Sequence, residues 1–335
     1  AKNVEDAIGR RVMDRAELIL DIFATRARSS EARMQVELAQ LQYTLPRLTR
    51  MWTHLEKFRG GIGVRGPGET QLETDRRLIS HRIKILRGRL EDVQRAREVQ
   101  RHARRDVYSA ALVGYTNAGK SSILRALSTS PDIFVEDRLF ATLDPLTRDV
   151  ELGEGQRILL TDTVGFIRKL PHHLVASFRA TLEEVLEADL LLHVIDASHP
   201  GWEEQRPVVD AVLAELGASD RPLLHVFNKI DRLEPDSLAA LQARMQHLLP
   251  NSVFVSAVDE ALDPLRRALL GAVRADRPMA EVRLSARDGR LLADVHRNGE
   301  VLDTRSEGEV LILRARVDEA LAGRLRQAGA LVTTL

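Results

Sequence analysis

Between Val12 and Ala27 apolar residues return at helical spacing, at Met13, Leu18, Ile22 and Phe23, and predict a helix. A second predicted helix carries Met34, Leu38, Leu41, Leu45 and Leu48 three to four apart, with Pro46 ending or kinking it. Five glycines and a proline then fall within the nine residues Gly60 to Gly68 (GGIGVRGPG), which excludes regular structure and predicts a long, flexible loop. Beyond the loop Leu72, Ile79, Leu86 and Val93 lie seven apart, with Ile83 and Leu90 on the same stripe. This heptad pattern predicts a long helix from about Glu69 to Arg105, paired with the preceding helix as an antiparallel coiled hairpin.

The period changes at Val107. Short apolar runs at Tyr108 to Gly114, Ile158 to Thr161, Leu190 to Asp196, Leu223 to Asn228 and Ser252 to Ser256 alternate with helical stretches, the pattern of βαβ units around a buried parallel sheet. From about Ala280 the order becomes strand (Val282 to Ser285), helix (Arg290 to Arg297), strand (Val301 to Thr304), strand (Val310 to Ala315) and helix (Asp318 to Ala328). The expected fold class is therefore α/β, a mostly parallel sheet with helices on both faces, preceded by the helical hairpin and followed by a small α+β domain. The expected parts are residues 1–30 (a connecting helix or the end of a preceding domain), 31–106 (hairpin), 107–279 (α/β domain) and 280–335 (α+β domain).

Composition changes this picture only when it is resolved along the chain. The 335 residues carry 49 Lys and Arg against 49 Asp and Glu, a formal net charge of zero. Residues 1–110 nevertheless hold 23 basic and 15 acidic side chains, residues 111–279 hold 17 and 25, and the rest 9 and 9. The predicted long helix is the most basic stretch, with eleven basic and four acidic residues between Thr74 and Arg105. A stalk of this charge ending in a glycine-rich loop with Arg65 suits an anionic, irregular surface, since arginine matches phosphate bidentately and freed backbone amides approach it closely. Arg65, Arg76, Arg77 and Arg82 are the candidate RNA contacts, although a solvated helix face gives the same charge count. The excess of Arg over Lys is better explained by codon bias than by RNA binding. With no cysteine, disulfide scaffolds, Cys-ligated zinc and thiol catalysis are excluded. No apolar run reaches the length of a membrane span, so a cytoplasmic location is expected. A monomer is expected as well.

The chemistry is concentrated in Gly114-Tyr115-Thr116-Asn117-Ala118-Gly119-Lys120-Ser121, which satisfies G-x-x-x-x-G-K-[ST] directly after a predicted strand. The glycines let successive N–H groups turn inward to a β-phosphate, the next helix begins there with its positive end, Lys120 reaches the β- and γ-phosphates, and the Ser121 hydroxyl ligates Mg²⁺. Ser122 follows in the same turn. Asn228-Lys229-Ile230-Asp231 then selects guanine, because a carboxylate accepts from N1–H and the 2-amino group whereas adenine has no donor at N1. Lys229 lies over the base, Asn228 ties this loop to the P-loop, and Ser256-Ala257-Val258 closes the base site. In Asp162-Thr163-Val164-Gly165 the carboxylate holds Mg²⁺ through water and the Gly165 amide senses the γ-phosphate. Upstream, in Phe140-Ala141-Thr142-Leu143-Asp144, Thr142 is the second protein ligand of Mg²⁺ and a γ-phosphate contact, with Thr147 as the rival. Lys120, Thr142 and Gly165 carry the catalytic assignment.

These motifs, in this order, resemble the translation-factor-related GTPases. Phe140 to Arg148 (FATLDPLTR), Asp162 to Pro171 (DTVGFIRKLP), Asp14 to Arg28 (DRAELILDIFATRAR) and above all Gly61 to Arg77 (GIGVRGPGETQLETDRR) narrow the resemblance to the HflX family. The resemblance implies a GTPase that binds the large ribosomal subunit through its N-terminal region and helps dissociate stalled or idle ribosomes. Family members usually carry a complete α/β domain ahead of the hairpin, and this chain begins at what resembles the end of one. Where many GTPases place a water-orienting glutamine after D-x-x-G, Phe166 stands here, with neither donor nor acceptor, so intrinsic hydrolysis is expected to be slow and ribosome-stimulated. Arg148 and Arg168 lie in the switch segments, where stabilisation of transition-state charge and a surface or subunit-binding role are the two readings of each. Two rival readings remain: an RNA-binding scaffold in which hydrolysis is incidental, and an ATP-using P-loop protein. His172, His173 and His193 lack the paired spacing of a metal site, and Trp52 and Trp202 read as packing or interface residues.

Overall fold

The computed structural model describes residues 2–10, 12–48, 67–102, 107–128, 142–168 and 184–335. The chain forms two compact units, one of residues 1–151 and 158–262, the other of residues 152–157 and 263–335.

In the first unit the chain opens with helices α1 (Lys2–Ile8), α2 (Arg15–Arg26) and α3 (Ser30–Thr44). Two side-chain caps fix where α2 and α3 begin. Asp14 accepts from the Glu17 N–H at 3.0 Å and Ser29 from the Ala32 N–H at 3.0 Å, each satisfying a donor that the first turn leaves unpaired. Helix α4 (Pro67–His102) opens on proline, which has no N–H to leave unpaired. At 36 residues it is about 54 Å long. Its Ile83, Leu86 and Leu90 are buried with Leu38 of α3, and Met34, Leu41, Leu45 and Ile79 pack around them. This is the predicted hairpin seam, and Leu72 and Val93, at its ends, are only half-buried. On its rim Arg82 donates Nε and Nη2 to the two oxygens of Glu37, at 2.6 and 2.9 Å.

Six strands build the sheet of this part of the chain: β1 (Ser109–Gly114), β2 (Leu146–Gly153), β3 (Gln156–Asp162), β4 (Leu190–Asp196), β5 (Leu223–Asn228) and β6 (Ser252–Phe254). Their order is β2-β3-β1-β4-β5-β6. The pairs β1–β3, β1–β4, β4–β5 and β5–β6 are parallel, and β1 and β4 are buried almost throughout because helices cover both faces. Helices α5 (Lys120–Leu127), α6 (Trp202–Leu216) and α7 (Pro235–Leu248) follow β1, β4 and β5. The periodicity does not predict β2. It is an edge strand with only Val150 and Leu152 buried, so its apolar signal is too sparse to stand out.

In the second unit α8 (Asp263–Asp276) precedes β7 (Met279–Ser285), α9 (Gly289–Asn298), β8 (Glu300–Glu307), β9 (Val310–Arg316), α10 (Glu319–Gln327) and β10 (Leu331–Thr334). The sheet is antiparallel, in the order β10-β7-β9-β8. Val282 and Leu284 of β7 and Leu313 and Ala315 of β9 form its core with Val295 of α9 and Leu321 and Leu325 of α10. Asp288 and Asp318 cap the two helices, accepting from Leu291 and Leu321 N–H. The final strand β10 is a further addition to the expected order, for its residues are exposed or half-buried and carry little pattern. Among the described residues no helix is long and apolar enough to cross a membrane.

Candidate functional site

The site lies where β1, β3 and β5 end, at their carboxyl edge, the position at which open α/β sheets leave a crevice. β1 runs out at Gly114, whose φ of +150° and whose approach to the Val194 carbonyl, 2.3 Å from an added Cβ, admit no side chain. The loop turns through Asn117 (φ +63°) and Gly119 (φ +97°) into α5, which starts at Lys120. Lys120 is buried, and its ammonium donates to the Gly114 and Tyr115 carbonyls at 3.3 and 3.1 Å. Burial pushes its pKa down to about 8, against the attraction of Asp162.

Three side-chain oxygens converge at the next residue, Ser121. Ser121 Oγ lies 2.7 Å from Thr142 Oγ1 and donates to Asp162 Oδ2 at 2.5 Å, while Thr142 Oγ1 donates to the same Oδ2 at 2.7 Å. Asp162 is almost wholly buried, its Oδ1 has no hydrogen-bond partner, and desolvation raises its pKa. Two hydroxyls and one carboxylate, with one of its oxygens unsatisfied, form a hard-oxygen donor set that suits Mg²⁺. Thr147, the rival of Thr142, points elsewhere, to Thr161 Oγ1 at 2.9 Å.

The segment after β3 is clipped to the P-loop by its backbone. Thr116 N donates to Phe166 O at 2.8 Å and Phe166 N to Gly114 O at 3.0 Å, and Tyr115 Oη accepts from Arg168 N at 3.1 Å. Gly165 sits so close that an added Cβ would lie 2.7 Å from Thr116 Cα and 3.1 Å from Lys120 Nζ. The Thr163 hydroxyl turns away from the crevice and donates to Leu112 O at 2.6 Å, so this residue can offer a ligand only its backbone. Val164 and Phe166 are buried in one core with Phe23 and Ala27 of the α2 segment, Val36 and Ala39 of α3, and Leu143.

At the end of β5 the buried Asn228 donates Nδ2 to Ala118 O at 3.0 Å and accepts from Ala257 N at 3.2 Å. Lys229, in the left-handed region at φ +65°, donates to Asn117 O at 2.8 Å and to Asp196 Oδ2 at 2.7 Å. Asp231 Oδ1 accepts from Ser256 Oγ at 2.7 Å. Val258 stands 73% exposed beside this loop. Asp196 carries no motif and was not among the sequence candidates; its place at the carboxyl end of β4 is the one signal that marks it. Arg148 bonds the Thr147 carbonyl, while Arg168 reaches Glu204 at 3.4 Å on the surface. Arg76 and Arg77 are exposed on α4. Phe140, Ala141, Arg65, Trp52, His172 and His173 lie outside the described residues.

Comparison with known proteins agrees with this geometry. Residues 26–104 match the family described as GTP-binding GTPase Middle Region, and residues 109–229 the family described as 50S ribosome-binding GTPase. GTPase HflX of Magnetococcus marinus is 49% identical over 329 residues, 97% of this chain and 75% of that protein. The chain belongs to the HflX family of GTPases. GTPase HflX of Escherichia coli is 48% identical over 293 residues, 87% of this chain and 68% of that protein. Among solved structures, the GDP complex of SsGBP superposes with a TM-score of 0.50 at 28% identity, over 78% of this chain and 74% of that one. As a member of the HflX family the chain binds and hydrolyses GTP, and the α/β fold is that of a P-loop GTPase.

Proposed function

We propose that the chain is a GTP-controlled switch that acts on the large ribosomal subunit through its RNA and promotes the dissociation or rescue of stalled or idle ribosomes. The observation that carries this reading is the core shared by α2, α3, Leu143, Val164 and Phe166, which joins a basic helical arm to the two segments flanking the nucleotide crevice. The exposed Arg76 and Arg77, with Arg82, and a net charge of +7 between Thr74 and Arg105 give the arm its affinity for phosphate.

On this reading the backbone of Gly114 to Ser122 cradles the phosphates, Lys120 contacts the β- and γ-phosphates, and the Gly165 N–H donates to the γ-phosphate. Ser121 and Thr142 would hold Mg²⁺ directly and Asp162 through water, and the ion would supply positive charge for the phosphates. Asp231 accepts from guanine, with Ser256 orienting its carboxylate. Phe166 contributes no donor or acceptor to the attacking water, so intrinsic turnover is slow and the subunit accelerates it. The protein works in the cytoplasm as a monomer.

Co-sedimentation with isolated ribosomal subunits under GDP, GTP and a non-hydrolysable analogue tests the proposal. Nucleotide-dependent binding to the large subunit and faster GTP turnover in its presence are expected. Equal binding in all three states, or ribosome dissociation that survives Lys120→Ala without nucleotide, would leave the arm as an RNA-binding scaffold and overturn the switch.

A further inference from the structure

Three consecutive residues of the first switch segment face three different environments. Thr142 bonds Ser121 and Asp162, Leu143 is buried in the core with α2 and α3, and Asp144 leaves the crevice for the turn between those helices. There Asp144 Oδ2 accepts from the backbone N–H groups of Arg28 and Ser29, both at 3.1 Å, and Oδ1 accepts from the Ser29 hydroxyl. The same hydroxyl accepts from Ala32 N as the cap of α3. The carboxylate therefore sits at the positive end of a 15-residue helix with three donors aimed at it, more than 100 residues away in sequence.

We propose that Asp144, held by Ser29 and the α2–α3 turn, is the positioning residue for Thr142, so that the helical arm sets the placement of the threonine at the γ-phosphate. The proposal rests on the assignment of Thr142 above. The mechanics follow from chain length. Asp144 is two residues from Thr142, and Leu143 between them is locked in the shared core. A displacement of the α2–α3 turn therefore has no slack to absorb it before it reaches the Thr142 hydroxyl. Guanine and the β-phosphate are bound by other segments, Asn228 to Asp231 and the P-loop, which do not pass through this turn. The anchor thus acts on the triphosphate state and spares the diphosphate state.

The test uses the full chain with Mg²⁺, measuring GDP affinity, the affinity for a non-hydrolysable GTP analogue, and kcat and KM for GTP. Ser29→Asp retains a strong cap for α3 while setting a second carboxylate against Asp144, and so separates helix stability from positioning. Expected for Ser29→Asp, Ser29→Ala and Asp144→Asn are a fall in kcat of about tenfold or more and a loss of the preference for the triphosphate analogue over GDP. GDP affinity should stay within about twofold, and Ser29→Thr, which restores the hydroxyl, should return kcat to near the wild-type value. Wild-type kcat and analogue affinity in Ser29→Asp, with the thermal midpoint unchanged, would overturn the proposal. Thr142→Ala is the control for the reading beneath it: if this variant alone loses triphosphate preference the anchor is wrong, and if it loses nothing the assignment of Thr142 is wrong. Should Asp144→Asn fail to fold, the Ser29 series decides alone.

Discussion

Asn228 donates its side-chain amide to the Ala118 carbonyl at 3.0 Å, so the loop after β5 and the P-loop share a buried hydrogen bond. Gly119 makes the approach possible. A Cβ at that residue would lie 2.1 Å from Asn228 Nδ2, and its φ of +97° is itself costly for any other residue.

Gly119→Ala is therefore expected to separate the two loops. GDP and GTP affinity should both fall by about a hundredfold, since one substitution strains the backbone and evicts the Asn228 amide together. Titration calorimetry with each nucleotide reads the effect, and circular dichroism should report an intact fold. A variant that binds GDP as tightly as wild type would show that the contact is not needed for nucleotide binding.

Gly165→Ala should behave differently. Its Cβ would meet the backbone at Thr116 Cα, 2.7 Å away, so the segment after β3 has to move away from the P-loop. GTP hydrolysis is expected to drop at least about tenfold while GDP binding changes by only a few-fold, because on the proposed assignment this amide serves the γ-phosphate alone. Single-turnover hydrolysis beside a GDP titration separates the two effects.

On the proposed reading, Asp231→Asn replaces an acceptor by a donor opposite the N1–H and 2-amino hydrogens of guanine. Ser256 can continue to donate to Oδ1, which leaves the new amide nitrogen toward the base. GTP affinity should weaken by about ten- to a hundredfold, and a xanthine nucleotide, which offers an oxygen at that position, should gain. Competition between GTP and XTP for a fluorescent GDP analogue would check it, and unchanged preference would remove Asp231 from base recognition.

A fourth expectation concerns acid. His193 is buried in β4, its Nδ1 unpaired and 3.8 Å from Asp210 Oδ1, with the His225 ring centroid 5.6 Å from its own. Burial, with the nearby His225, Arg206 and Lys120, pushes its pKa down to about 3 from 6.5. A histidine whose folded pKa is lowered binds fewer protons folded than unfolded. Stability is thus intact above the unfolded value and is lost as pH falls from about 6.5 toward 3. Between about pH 7 and pH 5 the loss from this group alone is about 2 kcal/mol. Chemical denaturation at the two pH values should show a shallower loss in His193→Leu than in wild type; equal slopes would assign the acid sensitivity to other groups.

The fold was readable where residues repeat. Leu38, Ile83, Leu86 and Leu90 announce the hairpin seam by period, and the near-continuous apolar runs of β1 and β4 announce a sheet covered on both faces. The members of the nucleotide site were readable because most are neighbours within short motifs, and a motif fixes its own geometry. What stayed hidden are contacts between segments with no shared motif. Asp196 meets Lys229 across 33 residues, and Ser29 meets Asp144 across 115, where only the tertiary fold supplies the proximity. The Thr163 hydroxyl, spent on the Leu112 carbonyl, shows the converse: a motif position can be there to hold a strand rather than a ligand.

Phe166 occupies the place of a water-orienting glutamine, yet it is 1% exposed and packed with residues of α2 and α3. The position is therefore a joint between two parts of the chain and not a catalytic slot left vacant. Restoring glutamine there would bury an amide without partners and loosen that joint, so Phe166→Gln is expected to cost stability rather than to add a catalytic group. On the proposed reading, that joint is the route by which a partner gripping the arm would reach the nucleotide site.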